Sequence, residues 1–348
     1  MRTKESSSVS ARSFRLSGLL AVSVALLLCA CAGPGRYAAV TGYAQGGTYS
    51  VKFNTSGVRV SRAEIASAID SILTLIDTTL SGYNKASQLS RFNAGETIVP
   101  NQLFSDIYAF SHDIWEETGG CVDVAAGPLF DIWGFGFSND SLPSDDKVRE
   151  TMETCGMGRL PGSIPAGVPL DLSARLNFNA VAQGYTCDMV ADYLKSLGVT
   201  DMLVDIGEIY CAGLNPSGRE WSIGVDRPVD GNETPGADLD GVWLSGGQSC
   251  GIVTSGNYRK FYVRDGRKYA HTINPKTGYP VQHNLLSATV VSSRSAAEAD
   301  AVATWCMVLG LESARKMLLD SPELEGYLIY DADGEMKEWA SPGFTLRK

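Results

Sequence analysis

The chain reads Thr254-Ser255-Gly256-Asn257-Tyr258, then His271-Thr272-Ile273-Asn274-Pro275-Lys276-Thr277-Gly278-Tyr279-Pro280, then Ala299-Asp300-Ala301-Val302-Ala303-Thr304. Within about fifty positions these pieces place a hydroxyl-rich turn, one of three histidines, a Pro/Gly-bounded loop and a carboxylate four residues before a hydroxyl. Residues four apart on a helix share a face, so Asp300 and Thr304 can offer two hard oxygens to one cation. By itself such a pair is usually a solvated helix face. His271 can donate to a phosphate or shuttle a proton near neutral pH. His112 and His283 have no comparable setting and read as structural or surface residues.

Outward from this stretch, the periodicities alternate between strand and helix. Gly47 to Phe53 alternates as a strand. Ser61 with Glu64 forms a capping box, followed by Ile65, Ile69, Ile72 and Ile76 at helical spacing. Further helices are expected at 105–118, ended by Gly119-Gly120, at 144–155, and from about Asn179 to Leu197 before Gly198. Another is expected at 296–309, with Val302, Trp305, Cys306 and Leu309 as its buried stripe. Strand signals fall at 202–206, 221–225, 259–264, 287–291 and 327–330, and the Asp/Gly/Pro-rich 228–240 reads as a loop. Helices and strands mix without regular βαβ alternation, which predicts an α+β fold. No G-x-G-x-x-G opens a helix after a strand, against a Rossmann dinucleotide site.

At the N-terminus, Arg2, Lys4, Arg12 and Arg15 precede an apolar run from Leu19 to Leu28. That run is too short for a mature membrane span and reads as an export signal over residues 1–30. Leu28-Cys29-Ala30-Cys31 resembles a bacterial lipobox with Cys31 as the lipidated residue, because Leu28 is too bulky for the small-residue slot before Cys29. Residues 31–40, with Gly33-Pro34-Gly35, then form a tether to a domain over 41–345, built as one body or as two interleaved subdomains. Loss of residues 1–30 removes four basic residues and one acidic, so the charge of −10 becomes −13. An acidic chain argues against nucleic acid as a partner, and the lipid is the only membrane contact implied. Six cysteines beyond Cys31 are scattered without a C-x-x-C pair, so neither zinc nor a dithiol motif is indicated. Their pairing is open, and several sit in apolar runs where a buried free thiol is the plainer reading.

More motifs lie upstream in a fixed order. They are Gln45-Gly46-Gly47-Thr48-Tyr49, Tyr83 to Asn93, Gly120-Cys121-Val122-Asp123-Val124-Ala125-Ala126-Gly127-Pro128-Leu129 into Trp133-Gly134-Phe135-Gly136, Asn179 to Tyr185, and Asp205-Ile206-Gly207-Glu208-Ile209. With the histidine loop and the Asp300/Thr304 pair, this series resembles the ApbE family, the FAD:protein FMN transferases. The family patterns are M-G-T-x-Y, Y-x-x-x-S-x-L-S-x-x-N, G-A-F-D-x-T-x-G-P-L, W-G-F-G, G-G-I-A-K-G-Y, D-x-G-G-E-I and H-x-I-D-P-x-T-G-x-P. This chain departs from them with Gln45 for methionine, Ala125 for threonine, Asn177 for a frequent aspartate, Gln183 for lysine and Asn274 for aspartate. It also has one glycine fewer at Gly207. The likeness runs from Gln45 to about Leu309.

The resemblance implies an ApbE-like fold and magnesium-dependent transfer of FMN from FAD to a threonine of an exported acceptor protein, with release of AMP. Magnesium would be held by Asp300, Thr304 and the Ala180 carbonyl. FAD would lie between Gln45, Tyr83, Asp123, Val124 and Ala125 on one side and Asn177, Gln183, His271 and Asn274 on the other. His271 and Asp300 are the two candidate bases. The expected location is the bacterial cell envelope, lipid-anchored and facing the periplasm. An FAD pyrophosphatase and a non-catalytic FAD-binding lipoprotein are the alternatives.

Overall fold

The computed structural model describes residues 36–136, 142–232, 234–258, 261–264 and 267–348. The expected export signal, Cys31, the Gly33-Pro34-Gly35 stretch and Arg259-Lys260 of one expected strand lie outside the described residues.

In chain order the strands are β1 (Tyr37–Ala44), β2 (Gly47–Asn54), β3 (Met202–Asp205), β4 (Ile209–Ala212), β5 (Ser222–Asp226), β6 (Leu239–Leu244), β7 (Cys250–Gly256) and β8 (Phe261–Arg264). They continue as β9 (Arg267–Ala270), β10 (Ile273–Asn274), β11 (Tyr279–Pro280), β12 (Leu285–Ser292), β13 (Leu324–Ala332), β14 (Glu335–Ala340) and β15 (Leu346–Arg347). The helices are α1 (Arg62–Leu80), α2 (Gln88–Asn93), α3 (Gln102–Glu117), α4 (Gly127–Ile132), α5 (Asp145–Met152), α6 (Ala182–Ser196), α7 (Ala296–Leu309) and α8 (Leu311–Asp320).

Eight strands form one antiparallel sheet in the order β1-β2-β3-β4-β7-β12-β13-β14. Period-two alternation sends its two faces to different partners. Val51, Phe53, Met202, Val204, Tyr210 and Ala212 pack against Ile65 and Ile69 of α1 and Val190, Ala191 and Leu194 of α6. Val253, Ala288, Val290 and Leu328 pack on the same side against α7 and α8. The opposite face carries Cys211, Cys250, Ile252, Val291, Tyr327 and Ile329, covered by Ile223 and Trp243 of the three-stranded sheet β15-β6-β5 and by Trp221 just before β5. A separate helical core gathers Phe92, Phe104, Ile107, Tyr108, Leu176 and Phe178. The class is α+β, as the mixed pattern predicts.

The Ser61/Glu64 capping box is present in both directions, at 3.2 and 3.0 Å. Several boundaries move for local reasons. α3 starts earlier than expected because the Asn101 side chain accepts from the Phe104 N–H and caps it. α6 starts later, since Phe178 to Val181 is taken up by a tight turn. The tether reading is corrected at Tyr37: Tyr37 to Val40 already pair with β2 as the sheet's edge strand. At the other end β15 pairs with β6, so the fold runs past residue 345. Thr254 to Gly256 is corrected from a turn to the end of strand β7. The single-stripe reading of α7 also fails, because Ala296, Ala297, Ala299, Ala301 and Ala303 are buried along with Val302 and Cys306. A helix of small residues is covered on all sides.

α7 can lie so deep because glycines leave room for its backbone. A Cβ on Gly184 would sit 2.3 Å from the Ala296 carbonyl oxygen, and one on Gly251 2.3 Å from the Ala296 Cα. Gly184→Ala should therefore force backbone apart and lower stability by about 1–3 kcal/mol, whereas a Cβ on Gly47 meets nothing within 4 Å. Urea unfolding checks this. The midpoint should drop for Gly184→Ala and stay near wild type for Gly47→Ala.

Candidate active site

α6 and α7 meet at their N-termini, and each lends a carboxylate to the other. Asp300 of α7 accepts from the Gly184 N–H at 3.1 Å, and Asp188 of α6 accepts from the Ala296 and Ala297 N–H groups at 2.8 Å each. First-turn N–H groups have no partner within their own helix, so a carboxylate there is favoured by hydrogen bonding and by the helix dipole. Both acids are nevertheless raised by burial, Asp300 to about 7 and Asp188 to about 6. The backbone N–H bonds oppose that rise, and the repulsion from Asp188 adds to it at Asp300. Asp300 is 4% exposed, so it is no solvated helix face. Thr304, one turn along, is half-buried. Ala180 packs with Trp305 against the cluster containing Ala301, which sets the turn before α6 beside α7. The Trp305 indole N–H is buried without a protein partner. A buried carboxylate with a hydroxyl one turn along supplies donor types a hard cation takes.

The segments before α6 join this centre to the helical core. Asp123 caps a short 3-10 turn at Val124–Ala126, accepting from Ala125 N–H at 2.8 Å and Met157 N–H at 3.1 Å. Burial raises its carboxyl, against those backbone bonds. The Val124 and Ala125 side chains belong to the core, and the Ala125 carbonyl accepts from the Gly156 N–H at 3.2 Å. Asn177 donates its backbone N–H to the Val124 carbonyl at 2.7 Å, and its side chain accepts from Asn179 N–H at 3.0 Å. Gln45, with φ of 51° in the β1–β2 turn, donates to the Thr186 hydroxyl on α6 at 2.6 Å. Tyr83 stands 76% exposed in the α1–α2 connection.

The histidine loop closes over the same region. A cavity of about 260 Å³ is lined by Trp115, Gly119, Gly120, Asp123, Pro275 and Lys276, which brings the loop after His271 to the Asp123 segment. His271 is half-buried and meets the Phe135 ring edge-on at 6.4 Å. Asn274 turns the loop itself. Its side chain accepts from Lys276 N–H at 2.9 Å, and its carbonyl accepts from Gly278 N–H at 2.8 Å. Trp133 then pins the loop by donating to the Gly278 carbonyl at 2.8 Å. Thr254 bonds Thr289 at 2.8 Å; alternation from Val253, which packs with α7, sends it to the opposite face.

The Asp205-Ile206-Gly207-Glu208 turn contacts α6 directly. Gly207 has φ of 92°, and its missing Cβ leaves room for the Gln183 amide, which donates to the Ile206 carbonyl at 3.3 Å. One glycine thus serves both the turn and the close approach. His283 is structural, as expected, with Nε2 2.8 Å from the Met307 carbonyl. Sequence reading missed Asp188 and Lys276. Asp188 stands four residues after Gly184 on one helix face, a spacing that signals a shared role. Lys276 carries no such signal.

The ApbE family model matches residues 45–328. A Vibrio cholerae FAD:protein FMN transferase is 31% identical over 94% of this chain and 97% of its own length. The protein of that name from Escherichia coli K12 is 33% identical over 81% of each chain. Among solved structures, the flavin transferase ApbE from Vibrio cholerae superposes with a TM-score of 0.74 at 29% identity, covering 89% of this chain and 98% of its own. The apo form of Pseudomonas stutzeri flavinyl transferase ApbE gives 0.74 at 29%, over 88% and 95%. This chain belongs to the ApbE family.

Proposed function

We propose that this chain is an FAD:protein FMN transferase working on an exported acceptor with magnesium. Asp300 is the observation that carries the reading. It is a carboxylate buried at the crossing of two helix N-termini, and the influences on it are burial, the Gly184 N–H and Asp188, with no cationic side chain among them. A divalent cation would supply the missing positive charge. Asp300, Thr304 and the Ala180 carbonyl would hold Mg²⁺, which when bound neutralises charge on the pyrophosphate oxygens.

FAD would lie between two walls. Gln45, Tyr83, Asp123, Val124 and Ala125 would form one, and Asn177, Gln183, His271 and Asn274 the other. Gln183 offers an uncharged donor where the family pattern has lysine. An acceptor threonine oxygen would bond to the FMN phosphorus while the bond from that phosphorus to the oxygen of AMP breaks. His271, half-buried, takes the hydroxyl proton in preference to Asp300, which is deeply buried and already holds the Gly184 N–H. AMP leaves with the bridging oxygen. The leader and the lipobox-like Leu28-Cys29-Ala30-Cys31 support export and anchoring at the bacterial envelope, facing the periplasm.

Purified protein given FAD, Mg²⁺ and a threonine-bearing acceptor domain tests the reading. Covalent flavin on the acceptor supports it. Free FMN plus AMP would indicate a pyrophosphatase, and unchanged FAD a binding protein.

Asp300→Asn keeps an acceptor oxygen for Gly184 but removes the charge. Transfer in limiting Mg²⁺ should fall about 100-fold or more, with the thermal midpoint changed little. Activity within twofold of wild type would show the metal is held elsewhere. For the anchor, mass spectrometry of the mature protein should find an N-terminal Cys31 carrying lipid. An unmodified start at Ala32 or later excludes it.

A further inference from the structure

We propose that Cys211 and Cys250 are joined by a disulfide in the mature protein, a cross-link between β4 and β7; the proposal takes its oxidising compartment from the export reading. The two residues are directly opposed in the antiparallel register, with Sγ atoms 3.7 Å apart. Opposed Cα atoms in an antiparallel pair are about 4.5–5.5 Å apart, inside the span of about 4.4–6.8 Å that disulfides bridge. Closing to a bond of about 2.05 Å therefore asks for side-chain rotation and no rearrangement of the sheet.

The surroundings favour the bonded form. Cys211 and Cys250 are 0% and 2% exposed, under Trp221 and under Ile223 and Trp243 of the three-stranded sheet. The hydrogen bond to Cys250, and then burial, push the Cys211 thiol far above its ordinary range. Thiolate chemistry is thus shut off once the sheet is covered, and oxidation belongs to folding, before β5 and β6 dock. The same cover then shields the bond from reductants. No other sulfur pair in such contact occurs among the described residues, and Cys187 gives its thiol to the Glu208 carbonyl at 3.0 Å.

The oxidant is a disulfide of the thiol-oxidoreductase class, or glutathione disulfide. One cysteine, as thiolate, attacks it to form a mixed disulfide and release one thiol. The second cysteine attacks the mixed disulfide at the protein sulfur and releases the other thiol. Two electrons and two protons leave the cysteines, and the oxidant becomes a dithiol or two thiols. The product would fasten the two strands that flank the α6 and α7 N-termini. β4 follows the Gly207 turn against Gln183, and β7 carries Gly251 against Ala296.

In the test, the full chain with its own leader is produced in a bacterial host, alkylated with N-ethylmaleimide under denaturing conditions and digested for mass spectrometry. Peptides carrying Cys211 and Cys250 should be linked, with Cys121, Cys155, Cys187 and Cys306 alkylated. Lipidated chain with both Cys211 and Cys250 alkylated overturns the proposal. Because this arm depends on export, reduced and unfolded chain is refolded in parallel in a glutathione redox buffer. There the same bond should dominate and raise the melting midpoint by about 5 °C over protein refolded with excess dithiothreitol. The double variant Cys211→Ala/Cys250→Ala should lose that difference. Free Cys211 and Cys250 after refolding, or either bonded to another cysteine, overturns the pairing in any compartment. Linked cysteines after refolding but reduced ones in the cell uphold the pairing and count against export.

Discussion

Two helix N-termini share one crossing, and the backbone contact there is closer than any side chain permits. Gly184 lies against the Ala296 carbonyl, and Gly251 lies under the same residue from the sheet side. Ala296 is thus held between α6 and β7. With the backbones this close, Asp300 can reach Gly184 and Asp188 can reach Ala296 and Ala297. The large sheet, the turn before α6 and the inward face of α7 take their positions from this crossing. A side chain at either glycine would move both carboxylates away from their N–H partners.

The crossing also explains an electrostatic cost. Burying two acids beside each other raises both, and three backbone N–H groups offset only part of that. A purely structural crossing could cap Gly184 with a neutral acceptor, so the charge of Asp300 is not needed for the hydrogen bond it accepts. A site that gathers positive charge through a bound metal would turn the same arrangement to advantage. The all-alanine flanks of Asp300 suit this, because small residues let surrounding backbone come near without obstructing the carboxylate.

Departures from the family patterns have local physical solutions. Asn274 performs a turn-forming role that needs only an acceptor oxygen, which an amide supplies as an aspartate would. Gly207 provides both the left-handed backbone and the space for Gln183, so the preceding position can be Ile206, buried in the helix-side core. Gln183, shorter than a lysine and uncharged, donates its amide to the Ile206 carbonyl. Such changes alter charge around the site more than they alter shape.

The α+β class, the capping box of α1, the helical spacing of Asp300 and Thr304 and the order of the motifs were determined by the sequence itself. Each is local, set by side-chain periodicity or by hydrogen bonds within one turn. Asn101 as a cap and Tyr37 as the start of the sheet are also local features, but their signals are too weak to stand out from the surrounding residues. The burial of α7 on every side was decided only by the tertiary structure, because a run of alanines has no periodicity to say how many faces are covered. Asp188 as the partner of α7, Lys276 beside Asp123 and Cys211 opposite Cys250 belong to the same class. Their meaning depends on strand register and helix crossing, which bring together residues 39 to 153 positions apart. No local pattern encodes such distances, since they follow from how the whole chain closes around its core.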